Sequence, residues 1–425
     1  MKKKIVGVSF LVLILSLLYS CSSESNNSDD KTTVDIFNIK VETAKELEEL
    51  AEVYEENNPE VEINVTTVGG GEDADAALQS KFSSGDDPSI FLMSGLSTVE
   101  RYKDKLAEVS DLESVELAVD GTLEGVELDD EIYGVPMNVE GFSWLINKDL
   151  FQKAGVNPDD ISSYDEFVEA VETLDSKKEE LDMDAVFGFS AKENWVVSQY
   201  SAHFTAPEFD NNLQEVYEAE TVEYEYGERM KEYTDLINEY NEQPILSLDY
   251  STAVEEKFMN EKLAIIHQGN WIVPTLDEMD PDFAQEKLDI LPFYVENDTE
   301  GRIAAGPPWY WGVNKTEDDA VVEESKDFLD WLYTSDEGKR YITEEFDYIP
   351  AHENFDSDAI GDPVSRKIYE ELEKENTDVW AHNSHPEGWY SDSLFPEFQK
   401  YLDEQISWDE FESETQKSFE EMRKQ

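Results

Sequence analysis

Short apolar runs alternate with longer stretches of helical period, beginning just past residue 30. Val34 to Ile39 reads as a strand. Glu42 to Asn57 then places Ala44, Leu47, Leu50, Ala51 and Tyr54 on one helix face, and Pro59 stops it. Glu60 to Val68 sets Val61, Ile63 and Val65 against polar partners, the period of a half-buried strand. Asp73 to Phe82 returns to helical period, and Ser89 to Met93 is a third strand. Strand, helix, strand, helix, strand at this spacing predicts right-handed crossovers and a largely parallel sheet, so the fold class is α/β. Further on, Ser163 with Glu166 and Ser407 with Glu410 have capping-box spacing. The first opens a helix to about Leu181 with Phe167, Val168, Val171 and Leu174 inward. The second opens a C-terminal helix with Phe411, Phe419 and Met422 as core. Asp319 to Tyr333 is another amphipathic helix, burying Val322, Phe328, Leu329 and Leu332. No internal repeat or heptad run is present, and the length suggests two domains.

The first thirty residues follow a different pattern. Lys2, Lys3 and Lys4 precede an apolar run from Ile5 to Leu18, shorter than the roughly 20 residues that cross a bilayer. Such a basic flank and short apolar stretch describe an export signal over residues 1–20. Leu18-Tyr19-Ser20-Cys21 resembles the lipobox of bacterial lipoproteins, in which the cysteine becomes the lipidated first residue. Cys21 is the single cysteine of the chain, which excludes an internal disulfide, a cysteine metal cage and an intramolecular redox pair. Residues 21–33, rich in Ser, Asn and Asp, read as a polar tether.

Charge narrows the function classes. The formal net charge is −69, and removal of the signal lysines makes it −72, with 29 Lys+Arg against 101 Asp+Glu. Nucleic-acid binding and attraction to anionic lipid both need basic surfaces and are excluded. With 39% hydrophobic and 12% aromatic residues the chain still builds cores, so the acids form a solvated surface. That surface repels itself at low salt, and the Debye length falls from about 8 Å at physiological ionic strength to about 3 Å at 1 M. A host in salty or alkaline water is implied. The melting temperature is expected to rise with added NaCl, and a flat or falling trend in a thermal melt would refute that.

Catalytic motifs are missing: no G-x-S-x-G, no phosphate-cradling loop with lysine, no H-E-x-x-H. His382-x-x-His385 is the one metal-like pair, and Pro386 directly after it argues against a rigid helical metal face, so neither metal nor cofactor is expected. The aromatics say more. Trp195, Trp271, Trp309, Trp311 and Trp389 fall in polar, glycine- or proline-punctuated contexts, whereas Trp331 and Trp408 sit within helix patterns and read as core. A sugar ring offers a face of C–H bonds, which suits an aromatic plane, and an equator of hydroxyls, which suits carboxylates and amides. Glu193, Asn194, Asn270 and Glu387 stand beside these rings.

Several segments, taken in chain order, resemble one family. They are Asn57-Asn58-Pro59, Ile132-Tyr133-Gly134-Val135-Pro136, and Asn147-Lys148-Asp149-Leu150-Phe151 with Ala154-Gly155-Val156. Phe258-Met259-Asn260 through Gln268-Gly269-Asn270-Trp271, Ser335-Asp336-Glu337-Gly338 and Ile349-Pro350-Ala351 follow. The family is the maltose-binding-protein-like solute-binding lipoproteins of carbohydrate ABC importers; Pro88-Ser89 departs from its usual Pro-Asp. The resemblance implies a two-lobed periplasmic-binding-protein-like fold, each lobe a mostly parallel sheet flanked by helices, with a ligand cleft between them. Lobe 1 would comprise 34–139 and 303–340, lobe 2 140–302 and 341–425. Lys40, Glu42, Gly70, Glu72 and Ser94 would face the cleft from the first lobe, with Glu140 and Phe142 near the hinge. Glu193, Trp195, Asn270, Trp271, Trp309, Trp311 and Trp389 would come from the second lobe and the returning segment. It further implies a monomer, lipid-anchored on the extracellular side of the cell membrane, that captures a carbohydrate and delivers it to the permease subunits. Two other readings stay open: the same fold for a non-sugar solute such as a polyamine or metal chelate, and a secreted glycoside hydrolase.

Overall fold

The alternation of inward residues explains how the first sheet is covered on both faces. The structure is a computed structural model and describes residues 31–68, 74–280, 282–297, 299–356 and 360–424. Cys21 and most of the tether lie outside the described residues. Strands β1 (Thr32–Asn38), β2 (Val61–Thr67) and β3 (Ile90–Met93) are parallel, in the order β2-β1-β3. Helices Ala44–Asn57 and Ala74–Ser84 make the crossovers, within two residues of the pattern-based ends. Val34 and Ile36 join Leu50, Tyr54, Phe328 and Leu332 on one face of this sheet. Phe37, Phe91 and Met93 join Leu78, Val99 and Tyr102 on the other.

The chain then passes through a small hairpin of β4 (Glu127–Leu128) and β5 (Glu131–Ile132), and through β6 (Val135–Pro136), the edge of the first sheet. It crosses into a second sheet built from β7 (Glu140–Asn147), β8 (Ile265–Gly269), β9 (Leu288–Leu291), β10 (Phe293–Tyr294) and β11 (Gly301–Gly306). β12 (Tyr310–Val313) returns to the first sheet, antiparallel between β3 and β6, and β13 (Thr377–Asp378) comes back to pair with β11. Every residue of β7 is buried, because both faces of the second sheet are covered. Trp144, Ile146, Phe187 and Phe167 pack on one side, and Leu145, Ile266, Ile290 and Ile368 on the other.

Strand direction departs from the sequence expectation in this second lobe. β7 is antiparallel to β8, β9 and β11, and among the described strands of this sheet the one parallel pair is β11 with β13. Parallel neighbours require crossover connections, and here β7 enters from the first crossing, β11 follows β10 as its antiparallel neighbour and leaves by the second, and β13 comes after the third. The expected division points also shift. Residue 303 falls inside β11, which belongs to the second sheet, so the return to the first lobe begins only after Gly306. Tyr341, Ile342, Phe346 and Tyr348 pack in the first lobe's core, so the third crossing lies beyond residue 341. The crossing strands lie side by side: the Met137 N–H donates to Trp309 O (3.0 Å) and Val139 N–H to Ile349 O (2.8 Å).

Both cap readings resolve into hydrogen bonds. Ser407 and Glu410 form the reciprocal box. Ser163 Oγ accepts from Glu166 N–H, but the Glu166 carboxylate reaches back to Ser162 rather than Ser163. That helix ends at Ser176, five residues before Leu181, where the chain turns at Lys177.

Candidate functional site

Between the lobes lies a cleft of about 460 Å³. Its first-lobe wall is the helix Leu96–Tyr102, which presents Ser97 and Thr98 from its first turn and Arg101 from its last, with Ser94 just ahead of it. Ser94 Oγ and Thr98 Oγ1 are 3.0 Å apart and hydrogen-bonded. Gly95 joins strand to helix at φ +152°, a conformation that disfavours side chains. A Cβ there would stand 3.6 Å from the carbonyl oxygen of Asn383, so the lobes meet closely at this point.

The floor is the crossing region, with Glu140, Pro308 and Trp309. Lys40, which follows β1 of the first lobe, holds Glu140 at 2.8 Å, and both side chains are more than nine-tenths buried. Buried charges persist only when paired, so this pair ties the start of β7 to the end of β1.

The second-lobe wall is aromatic. The helix Asn194–Thr205 places Trp195, Ser198 and Gln199 at i, i+3 and i+4, one face turned to the cleft. Trp271 follows β8, and its Nε1–H donates to Gln268 Oε1 at 3.1 Å. The Gly269 between them is compulsory, because a Cβ would lie 2.1 Å from the Trp271 ring and 2.4 Å from Gly141 O. Asn270 pins the turn, accepting from Gly141 N–H (3.0 Å) and donating to Ser365 Oγ (3.1 Å). Trp380 completes an arc: Trp195 to Trp271 is 6.3 Å at 68°, and Trp271 to Trp380 is 6.2 Å at 69°. Behind them Phe142, fully buried, packs edge-on against Trp380 at 5.0 Å. The segment after Trp380 adds His382, Asn383, His385, Glu387 and Tyr390 to the same wall. Burial holds His382 at a pKa of about 3 and pushes His385 well below the usual histidine range, so both are neutral.

The structure therefore sorts the residues singled out in the sequence. Ser94, Glu140, Trp195, Trp271 and Trp309 line the cleft. Lys40 and Asn270 stand behind it as supports. Phe142 backs the indoles and does not face the cleft. Glu193 stands at the N-cap position of the helix Asn194–Thr205 without a side-chain bond to it, and its carboxylate accepts from Tyr250 N–H, away from the lining. Gly70 and Glu72, and the side chain of Glu42, lie outside the described residues.

Two tryptophans are corrections. Trp311 is buried in the first lobe's core and donates to Tyr333 Oη at 3.0 Å. Trp389 is fully buried, donates to Thr415 O at 2.8 Å and packs edge-on against Phe419 at 5.1 Å, beneath the C-terminal helix. Trp389→Phe is accordingly expected to cost about 1–3 kcal/mol of stability through the lost bond and volume. Solute affinity should stay within about twofold, as read by denaturant melts beside titrations. Missing from the sequence reading were Trp380, Arg101, Gln199 and His382 to His385. The signal for the last group was the density of Trp, His, Asn, Pro and Gly from 380 to 390, which the question of metal ligation overlooked.

A family model described as "Bacterial extracellular solute-binding protein" matches residues 40–339. The chain is 25% identical over 311 residues to the multiple sugar-binding protein of Streptococcus mutans serotype c, covering 66% of this chain and 68% of that one. It is 25% identical over 253 residues to the xylose/arabinose-binding protein XacG of Haloferax volcanii, 57% of this chain and 54% of the relative. Among solved structures, a chitin oligosaccharide binding protein superposes with a TM-score of 0.74 at 20% identity, covering 93% of this chain and all (100%) of that one. RafE from Streptococcus pneumoniae gives 0.74 at 17% identity, with 93% and 98% covered. At these identities the structural matches speak to the fold, which is the two-lobed one.

Proposed function

The chain belongs to the bacterial extracellular solute-binding proteins, a family of binding proteins and not of enzymes, and on that premise we propose that it captures a carbohydrate, an oligosaccharide, for an ABC importer. One observation carries the reading: the arc of Trp195, Trp271 and Trp380, with Trp309 on the floor and Gln199, Asn383 and Glu140 lining the same cleft. Flat apolar faces interleaved with amide and carboxylate groups match the two chemistries of a sugar ring. The names of the relatives, binders of multiple sugars and of xylose or arabinose, and of RafE, solved with raffinose, point the same way. Of the residues the sequence suggested, Ser94, Glu140, Trp195, Trp271 and Trp309 are assigned to ligand contact, and Lys40, Phe142 and Asn270 to holding them.

Binding draws the two lobes together about the crossing strands, a hinge closure, and the closed form is the one the permease reads. The monomer is held at the extracellular side of the membrane by a lipid on Cys21, and residues 21–33 act as a leash that keeps solute near the permease. A thermal-shift panel of mono-, di- and oligosaccharides in high salt tests the ligand. A sugar at 100 times its dissociation constant should add about 2.7 kcal/mol, and silence from every sugar would overturn the reading. Cys21→Ala should release the protein from membranes with affinity intact; retention in the membrane fraction would remove the lipid anchor.

A further inference from the structure

The chain carries a large negative charge, yet the cleft is nearly charge-balanced. Among the described lining residues only Arg101, Glu140 and Glu387 carry full charges. Glu140 is already neutralised from behind by buried Lys40 at 2.8 Å. Arg101, on the first-lobe helix, forms an ion pair with Glu387 of the second lobe, across the mouth of the cleft. The two histidines in the wall are buried and neutral. Two cations thus answer two carboxylates, and each charge has an opposite partner within the cleft or directly beneath it.

We infer that the Arg101–Glu387 pair is a charge filter, bridging the lobes and restricting the solute to uncharged glycans. The inference rests on the cleft being the sugar site proposed above. The physical ground is local. At physiological ionic strength the Debye length is about 8 Å, so the acidic outer surface is largely screened from a solute inside the cleft and the lining decides. A cationic solute entering there meets no carboxylate lacking a cation, and an anionic one meets no cation lacking a carboxylate. Either would have to compete with an existing pair, and closing the lobes over it would bury a charge without a partner.

The pair also makes the filter reversible by design. Arg101→Gln leaves Glu387 as an uncompensated carboxylate at the mouth, and Glu387→Gln leaves Arg101 as an uncompensated cation. Both side chains are partly exposed, 27% and 69% for Arg101 and Glu387, so neither change reaches a core, and melting temperatures check this. The experiment titrates the wild type and both variants with neutral probes (raffinose, xylotriose, maltotriose and N-acetylchitotriose), a cationic probe (the glucosamine trimer) and an anionic probe (trigalacturonate). The wild type should bind at least one neutral probe and neither charged one. In Arg101→Gln the ratio of cationic to neutral affinity should rise at least tenfold, and in Glu387→Gln the ratio of anionic to neutral affinity should do the same. Wild-type binding of a charged probe as tight as any neutral one would overturn the filter while leaving the cleft a sugar site. So would equal shifts for all probes in both variants. Silence from every neutral probe would sink the sugar reading itself, and the filter with it.

Discussion

Trp271→Ala is expected to weaken sugar binding by at least about 30-fold, a loss of roughly 2 kcal/mol or more, in the range of buried tryptophan anchors at binding surfaces. Trp271 is the middle ring of the arc, 6.3 Å from Trp195 and 6.2 Å from Trp380. Removing it deletes one stacking face and frees the two others to tilt, so the loss exceeds that of either end ring. Trp271→Phe retains a plane without the Nε1–H bond to Gln268 and should recover part of the affinity. Stability changes separately. Truncation orphans the Gln268 amide, worth about 1–3 kcal/mol if it finds no water, and a denaturant melt reports that term alone. Isothermal titration with the best sugar of the panel decides the matter, since an unchanged dissociation constant would take Trp271 out of the site.

Acid should unfold this protein, although its composition suggests the opposite. Protonating carboxylates relieves the self-repulsion of a chain at −69, which alone would favour lower pH. The histidines oppose it. All five, His203, His267, His352, His382 and His385, are buried and held neutral by desolvation, three of them at a pKa of about 3. An unfolded histidine titrates near 6.5. The stability these groups provide is therefore complete above pH 6.5 and is lost as the pH falls toward 3, because only the unfolded chain takes up the protons. Asp378 runs the other way. Burial raises its pKa to about 7, so its contribution is full below the ordinary aspartate range and declines as the pH rises toward 7. Asp347, raised by burial to about 6, sides with Asp378, and burial lifts Glu124, Glu208, Asp277, Glu317 and Glu412 in the same direction. The five histidines, all neutral in the fold from pH 7 to 5, outweigh them and set the sign. Each proton is worth up to about 1.4 kcal/mol per pH unit, so several kcal/mol should vanish between pH 7 and 5. Melts in 1 M NaCl separate the causes, because a Debye length of about 3 Å mutes the surface repulsion while the buried rings are unaffected. A melting temperature that holds or climbs on acidification would refute the account.

The two predictions draw on parts of the chain that were unequally visible in its sequence. The first lobe's opening elements were legible because their periods are local: Val61, Ile63 and Val65 alternate, and Leu47, Leu50 and Tyr54 share a helix face. The second sheet's strand directions were not, because β7 takes its neighbours from residues more than a hundred positions away. The tryptophans divide the same way. Trp309 and Trp311 sit in one Gly-Pro-Pro-Trp-Tyr-Trp-Gly run, yet Trp311 lies within β12, where the core begins, and Trp309 lies on the crossing just before it. Where a lobe's core stops is a property of the packed sheet and is not written in either residue's surroundings. Trp389 has the glycine-flanked context of a ligand contact but is covered by Phe419, from a helix that only the tertiary fold brings over it. The His203–Asp378 approach, 3.7 Å, was equally hidden, since the two residues lie far apart in sequence.

The position of β12 has a consequence for how the chain is made. It is an inner strand of the first sheet, flanked by β3 and β6, but it emerges only after most of the second lobe has been synthesised. Until then β3 and β6 keep open edges, and the Trp311 and Val313 that complete the first core are absent. Contacts between such distant parts of a chain form slowly. The N-terminal third therefore has no finished native state to fall into until Val313 of the 425 residues has been made, and up to that point its chain can still pass through a narrow passage unfolded.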